Sequence, residues 1–184
     1  MVDTQRDGVR LEGDGLVIIE ESAWHAAALR YFDAAGPVAA LLLESTRQGI
    51  PAPLRGVEFS GPSGGAPSVL AWRSPSETLY LTRDALEFAD LEQRFASMTD
   101  GCMVDQTGGI RIVRVTGPRA WDLLRRLAAE SSIPPAGHAY SGRWAEVNVL
   151  AVCLHPQEFL LSVDRVYAEH LLHWIKATLA DFGA

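Results

Sequence analysis

Apolar positions along this chain are spaced by two in some stretches and by three and four in others, and those changes of period mark its elements. Residues 16–20, Leu-Val-Ile-Ile-Glu, are a β-branched run that reads as a strand. Ser22 follows and can cap a short helical or irregular turn over residues 24–29. Residues 34–47 hold Val38, Leu41 and Leu42 at helical spacing, with Gly36-Pro37 as a start signal and Gly-Ile-Pro-Ala-Pro at 49–53 as a stop. The stretch GPSGGAP at 61–67 reads as a loop. Strands over 68–73 and 77–82, joined by Ser74-Pro75-Ser76, make a hairpin. A helix over 85–96 follows, with Leu86, Ala89, Leu91 and Phe95 on a partly apolar face.

The second half repeats this logic. A polar, glycine-bearing turn leads into a strand over 110–116, and Thr116-Gly117-Pro118 then opens a helix. Ala120, Leu123, Leu124 and Leu127 form its apolar stripe, while Arg119, Asp122, Arg125 and Arg126 face water. Residues 132–142 read as a loop, and 144–154 and 158–163 as strands around His155-Pro156. The last helix, 164–180, is expected to bury Tyr167, Leu171, Trp174, Ile175 and Leu179. This order predicts an α+β fold, with two antiparallel-sheet-plus-helix halves of ferredoxin-like kind around one continuous core. Residues 1–184 form one expected domain, with a possible subdivision into 16–100 and 101–184.

Composition narrows the class. At 184 residues and 48% hydrophobic, the chain can bury a sizeable core. No run approaches the about 18–20 apolar residues that span a bilayer. The polar, acidic start, residues 1–7, lacks the pattern of a secretory signal, so a cytoplasmic location is expected. A net charge of −7 argues against nucleic acid and against an anionic membrane surface as partners. Cys102 and Cys153 sit beside apolar neighbours and read as two reduced core thiols.

The stretch from 102 to 127 carries the candidate chemistry. Asp105 and Thr107 ahead of Gly108-Gly109 suit an Asx-type turn, their side-chain oxygens satisfying backbone N–H groups. The alternative places Asp105 in a folate-like or amine pocket as acid or base, with Thr107 beside it. Arg111 or Arg143 would then hold a substrate carboxylate. Arg111 and Arg114 fall on opposite faces of one strand, so a carboxylate partner is expected for whichever is buried, from Asp105 or Glu146. Trp121 lies on the flank of its leucine stripe, as interface tryptophans do. His170 and His173 share a helix face, but no third ligand accompanies them, and no metal site is expected. The sequence has no Gly-x-Gly-x-x-Gly fingerprint, and no helix opens directly after the loop at 61–67, so its GPSGG does not read as a nucleophile elbow.

The segment VDQTGGIRIVRVTGPRAWDLLRRLA resembles one found in the aminomethyltransferase (glycine-cleavage T-protein) superfamily. Within it, HAAALRYFDAAGPVAALL, the hairpin VLAWRSPSETLYLT and the terminal EFLLSVDRVYAEHLLHWI are similar to the gamma subunit of heterotetrameric sarcosine oxidase. The resemblance implies a T-protein-like fold and a non-catalytic accessory role supporting assembly of a flavin- and folate-dependent amine-oxidising complex. It implies no cofactor on this chain, larger flavoprotein subunits as partners, and FAD, NAD and tetrahydrofolate on those subunits. Two departures stand out. The hairpin tip is Ser74-Pro75-Ser76-Glu77-Thr78, without the family's tryptophan, and the T-protein's Asp-x-Ser-His turn is Asp105-Gln106-Thr107-Gly108, without its histidine. The alternative is a free-standing small enzyme or small-molecule-binding protein that reuses the fold for one-carbon or amine chemistry.

Overall fold

The structure, a computed structural model, describes residues 8–13, 15–61, 64 and 66–182. The polar start, 1–7, and part of the glycine-rich loop, 62–63 and 65, lie outside the described residues. In chain order the elements are β1 (Arg10–Gly13), β2 (Leu16–Glu21), β3 (His25–Tyr31), α1 (Pro37–Thr46), β4 (Gly56–Ser60), β5 (Pro67–Ser74), β6 (Glu77–Thr82) and α2 (Ala85–Phe95). Then come β7 (Gly101–Asp105), β8 (Ile110–Thr116), α3 (Ala120–Leu127), β9 (His138–Trp144), β10 (Val147–His155), β11 (Glu158–Asp164) and α4 (Arg165–Ala180).

All pairings are antiparallel and build two sheets, ordered β1-β2-β8-β11-β10-β9 and β4-β5-β6-β3-β7. Leu123, Leu124 and Leu127 of α3, with Leu171 and Ile175 of α4, cover the outer face of the six-stranded sheet over Val113, Val115, Phe159 and Leu161. Val38 and Leu42 of α1, with Phe88 and Leu91 of α2, cover the five-stranded sheet over Leu29, Leu70 and Tyr80. Between the sheets, Ala26, Ala71 and Leu79 meet Ile112, Val152 and Leu160. The fold is α+β, and helices cover one face of each sheet. The interior is three apolar layers divided by two sheets.

Each sheet follows the ferredoxin-like order. In one, β3-α1-β5-β6-α2-β7 gives the sequence β7-β3-β6-β5 with β4 added outside β5. In the other, β8-α3-β10-β11-α4 gives β8-β11-β10 with β9 added outside, and the place beside β8 is filled by β2 from the start of the chain. A division near residue 100 therefore does not separate the sheets: β2 lies with the later strands and β7 with the earlier ones.

Local signals explain the helices. Asp84 caps α2 by accepting the N–H groups of Leu86 and Glu87 at 2.9 and 3.1 Å. Pro37 opens α1, and Arg47 closes it in the left-handed conformation at φ 58°. Gly117, at φ 130°, turns the chain from β8 toward α3, and a side chain there would meet the carbonyl of Gly15.

Five expectations need correction. Residues 25–31 are a strand, paired with β6 on one side and β7 on the other, and its alanines at 26–28 are buried on both faces of the sheet. Residues 138–142 belong to strand β9, and 101–105 form strand β7. Tyr167 and Trp174 are about half exposed, 48% and 47%, because the stripe α4 buries runs through Ala168, Leu171, Leu172 and Ile175, one helical position away. Cys102 is exposed on β7, while Cys153 is buried. Burial, with the Glu158 charge, pushes the Cys153 thiol up to about 11.

Candidate functional site

The turn between β7 and β8 carries the chain from one sheet to the other, and its polar side chains are used in making that passage. Asp105 Oδ1 accepts the Thr107 N–H at 2.8 Å, closing an Asx turn. Thr107 Oγ1 accepts the Ala26 N–H at 3.1 Å, and the Gln106 N–H donates to the Ala26 carbonyl at 2.7 Å, so the turn is pinned to β3. Arg73 donates to Gln106 Oε1 at 3.0 Å. Asp105 itself is exposed and lines none of the clefts described below.

Beside this turn opens a cleft of about 520 Å3, lined by Glu20, Trp24, Thr107, Arg111, Arg165 and Glu169 among others. The period-two argument held for the two arginines of β8, but their partners differ from those expected. Arg111 lies 3.4 Å from Glu20. Arg114 turns to the inner face, where its Nε donates to Glu21 at 2.8 Å and Nη1 donates to Glu158. Glu146, proposed from sequence as a partner, instead accepts from Arg143 at 3.0 Å on the surface.

Glu21, the last residue of β2, was missed in sequence. It also pairs with Arg83 at 2.7 Å and accepts the Trp24 indole N–H, and the Arg83 guanidinium lies 4.7 Å from the centre of that ring. Burial pushes the Glu21 carboxyl up. The hydrogen bonds from Arg114, Arg83 and Trp24 outweigh it, and the group rests below the usual carboxylate range. For Arg114, burial disfavours the charge, yet the bond to Glu21 and the two carboxylate charges hold its value above normal. Both groups are ionised at neutral pH. The cluster is a charge-balanced brace: Arg83 reaches from beyond β6 to Glu21 of β2, across the gap between the sheets.

Arg111 and Arg143 are not brought together. Arg143 lines a separate cleft of about 620 Å3 with Arg73, Glu77, Asn148, Ser162 and Asp164. Trp121 is partly buried against the helix-covered core. Its ring lies 6.1 Å from Phe159, and Arg125 stands over it at 5.7 Å. His170 Nε2 bonds the Ala145 carbonyl at 2.8 Å and its ring packs on Trp174, while among the described residues no three of His, Cys, Asp and Glu gather as metal ligands would. Among the described residues no helix is long and apolar enough to cross a membrane.

These features define a class: two ferredoxin-like sheets packed face to face, helices outside, and a crossover turn at their junction. Solved structures share it. The chain is similar in fold to a chain of the heterotetrameric sarcosine oxidase from Corynebacterium sp. U-96, determined with pyrrole 2-carboxylate, at a TM-score of 0.79 and 20% identity, covering 95% of this chain and 89% of that one. It is also similar to the glycine cleavage system aminomethyltransferase T of Bartonella henselae, at a TM-score of 0.65 and 11% identity, covering 86% of this chain but only 44% of that one. No protein-family model and no curated protein matches the sequence.

Proposed function

We propose that this chain is a non-catalytic subunit of a larger amine-oxidising assembly of the sarcosine oxidase kind. The observation that carries the reading is the likeness over 95% of this chain and 89% of a chain that works inside a heterotetramer. The use of Asp105 and Thr107 in the crossover turn supports it, since the oxygens of both hold backbone N–H groups and Asp105 does not line the cleft that Thr107 borders. In this reading FAD, NAD and tetrahydrofolate belong to larger flavoprotein subunits, and the chain works with them in the cytoplasm. Trp121 is its proposed contact on α3, with Arg125 over the ring.

Reconstitution tests it. The larger flavoprotein subunits, prepared with and without this chain, should differ in yield of assembled enzyme, while the chain alone oxidises no N-methyl amine. Turnover by the isolated chain would overturn the reading.

A second reading, small-molecule binding, is favoured by the cleft lined by three glutamates, Glu20, Glu21 and Glu169, and two arginines, Arg111 and Arg165. Calorimetry of the isolated chain with folates and N-methyl amines tests it. Heat that disappears in Arg111→Ala would support this reading, and no heat across the panel would exclude it.

A further inference from the structure

The two sheets are built on one plan, and they differ at one lane. In the six-stranded sheet, the strand beside β8 is β2, and β1 lies along its outer side. In the five-stranded sheet the corresponding strand beside β3 is β7, and among the described residues no strand lies along its outer side.

The open edge can be read atom by atom. The Phe32 N–H donates to the Asp100 carbonyl and the Gln106 N–H to the Ala26 carbonyl, which sets the alternation of bonds between β3 and β7. Cys102 and Val104 therefore bond β3. Gly101, Met103 and Asp105 turn their N–H and C=O groups outward, where no strand among the described residues pairs with them. Between its ends the strand has no charge, proline or bulge, the usual devices that keep other chains off an edge. Cys102 and Val104 are exposed on one face, Phe32 beside them is 90% exposed, and a groove of about 620 Å3 runs past Arg30, Phe32, Glu77 and Cys102.

We propose that β7 accepts an extended segment of a partner chain as a sixth strand of this sheet, in the lane that β1 fills in the other. Charge selects the occupant. Among the described residues Asp33, Asp100 and Asp105, around the edge, make no salt bridge, and the one guanidinium lining the groove, Arg30, is paired with Glu77 at 2.8 Å. The segment that fits carries apolar side chains at alternate positions, to meet Cys102, Val104 and Phe32, and lysine or arginine near its ends. A second copy of β7 fits poorly, since antiparallel pairing centred on Met103 would bring Asp105 of each chain next to Asp100 of the other.

The existence of a natural partner rests on the subunit reading, but the assay uses only this chain and peptides, so either can fail alone. The probes are a short peptide of alternating valine and threonine ended by lysines, the same peptide ended by glutamates, and the lysine form N-methylated at every amide, so that neither of its edges can donate to β7. Hydrogen exchange is followed at Gly101, Met103 and Asp105, and maleimide labelling at Cys102, Cys153 being buried. The lysine peptide should slow exchange at those three amides by about tenfold or more and shield Cys102, and the other two should do neither. Neutralising the edge with Asp100→Asn and Asp105→Asn, which keeps the Asx-turn oxygen, should erase the preference for lysine over glutamate. Three outcomes overturn the proposal: no protection at millimolar peptide, equal protection by the N-methylated form, or protection that grows with protein concentration alone, which would make a second copy the occupant.

Discussion

A single carboxylate oxygen decides what the crossover turn can do. Asp105 Oδ1 is engaged by the Thr107 N–H, so Asp105→Asn, which retains that oxygen, should leave stability within about 0.5 kcal/mol of the parent. Asp105→Ala should cost about 1 kcal/mol in denaturant unfolding, as the loss of a capping acceptor does. A general acid or base would show the opposite pattern, with Asn as harmful to activity as Ala. Glu21 carries a pH dependence. Its folded-state value lies below the ordinary one, so its charge stabilises the fold above the ordinary carboxylate range, and that stability is lost as pH falls through the folded-state value. Glu21→Gln should cost about 2 kcal/mol at neutral pH by leaving Arg114 and Arg83 short of a partner, and should flatten the acid limb of a stability profile. Glu87 runs the other way. Burial and the nearby Asp84 hold its carboxyl above the usual range against the pull of the Tyr80 hydroxyl, so its protonation favours the folded state as pH falls.

Among the elements, the helices were readable and several strands were not. Gly36-Pro37, the partly apolar face over 85–96 and the Ala120-Leu123-Leu124-Leu127 stripe are local signals, and each helix they mark is present. The alanines of β3 carry no such signal, because a strand buried on both faces has neither period, and alanine alone favours a helix. β7 was hidden because Cys102, Val104 and Asp105 are exposed on an edge, so no alternation of apolar and polar residues marks it. For the site, the Asx turn and the opposed arginines were legible in the residues. The partners Glu20, Glu21 and Glu158 were not, since they come from other strands and only the pairing register brings them to Arg111 and Arg114. On α4 the aromatic residues suggested a buried face that the helical phase puts half in water. Trp174→Ala should accordingly change unfolding free energy by less than about 0.5 kcal/mol, whereas Trp121→Ala, which uncovers Phe159, should lose about 2 kcal/mol. Equal losses would mean that α4 packs differently.

At the scale of the whole molecule, the exchange of β2 and β7 ties the two sheets into one another. A protease nick between Asp100 and Gly101 should leave the fragments as one particle on gel filtration, separating only in denaturant, because the first fragment contributes β1 and β2 to the six-stranded sheet and the second contributes β7 to the five-stranded one. The same construction leaves a subunit-sized body whose overall course matches a chain of a heterotetrameric oxidase. The most direct measurement of the subunit reading is native mass spectrometry of this chain co-expressed with the larger flavoprotein subunits of a sarcosine oxidase-like enzyme. The account predicts a complex that contains one copy of the chain for each set of larger subunits and survives purification. Flavoprotein that assembles fully and turns over at the same rate without the chain, while the chain elutes alone at micromolar concentration, would contradict it.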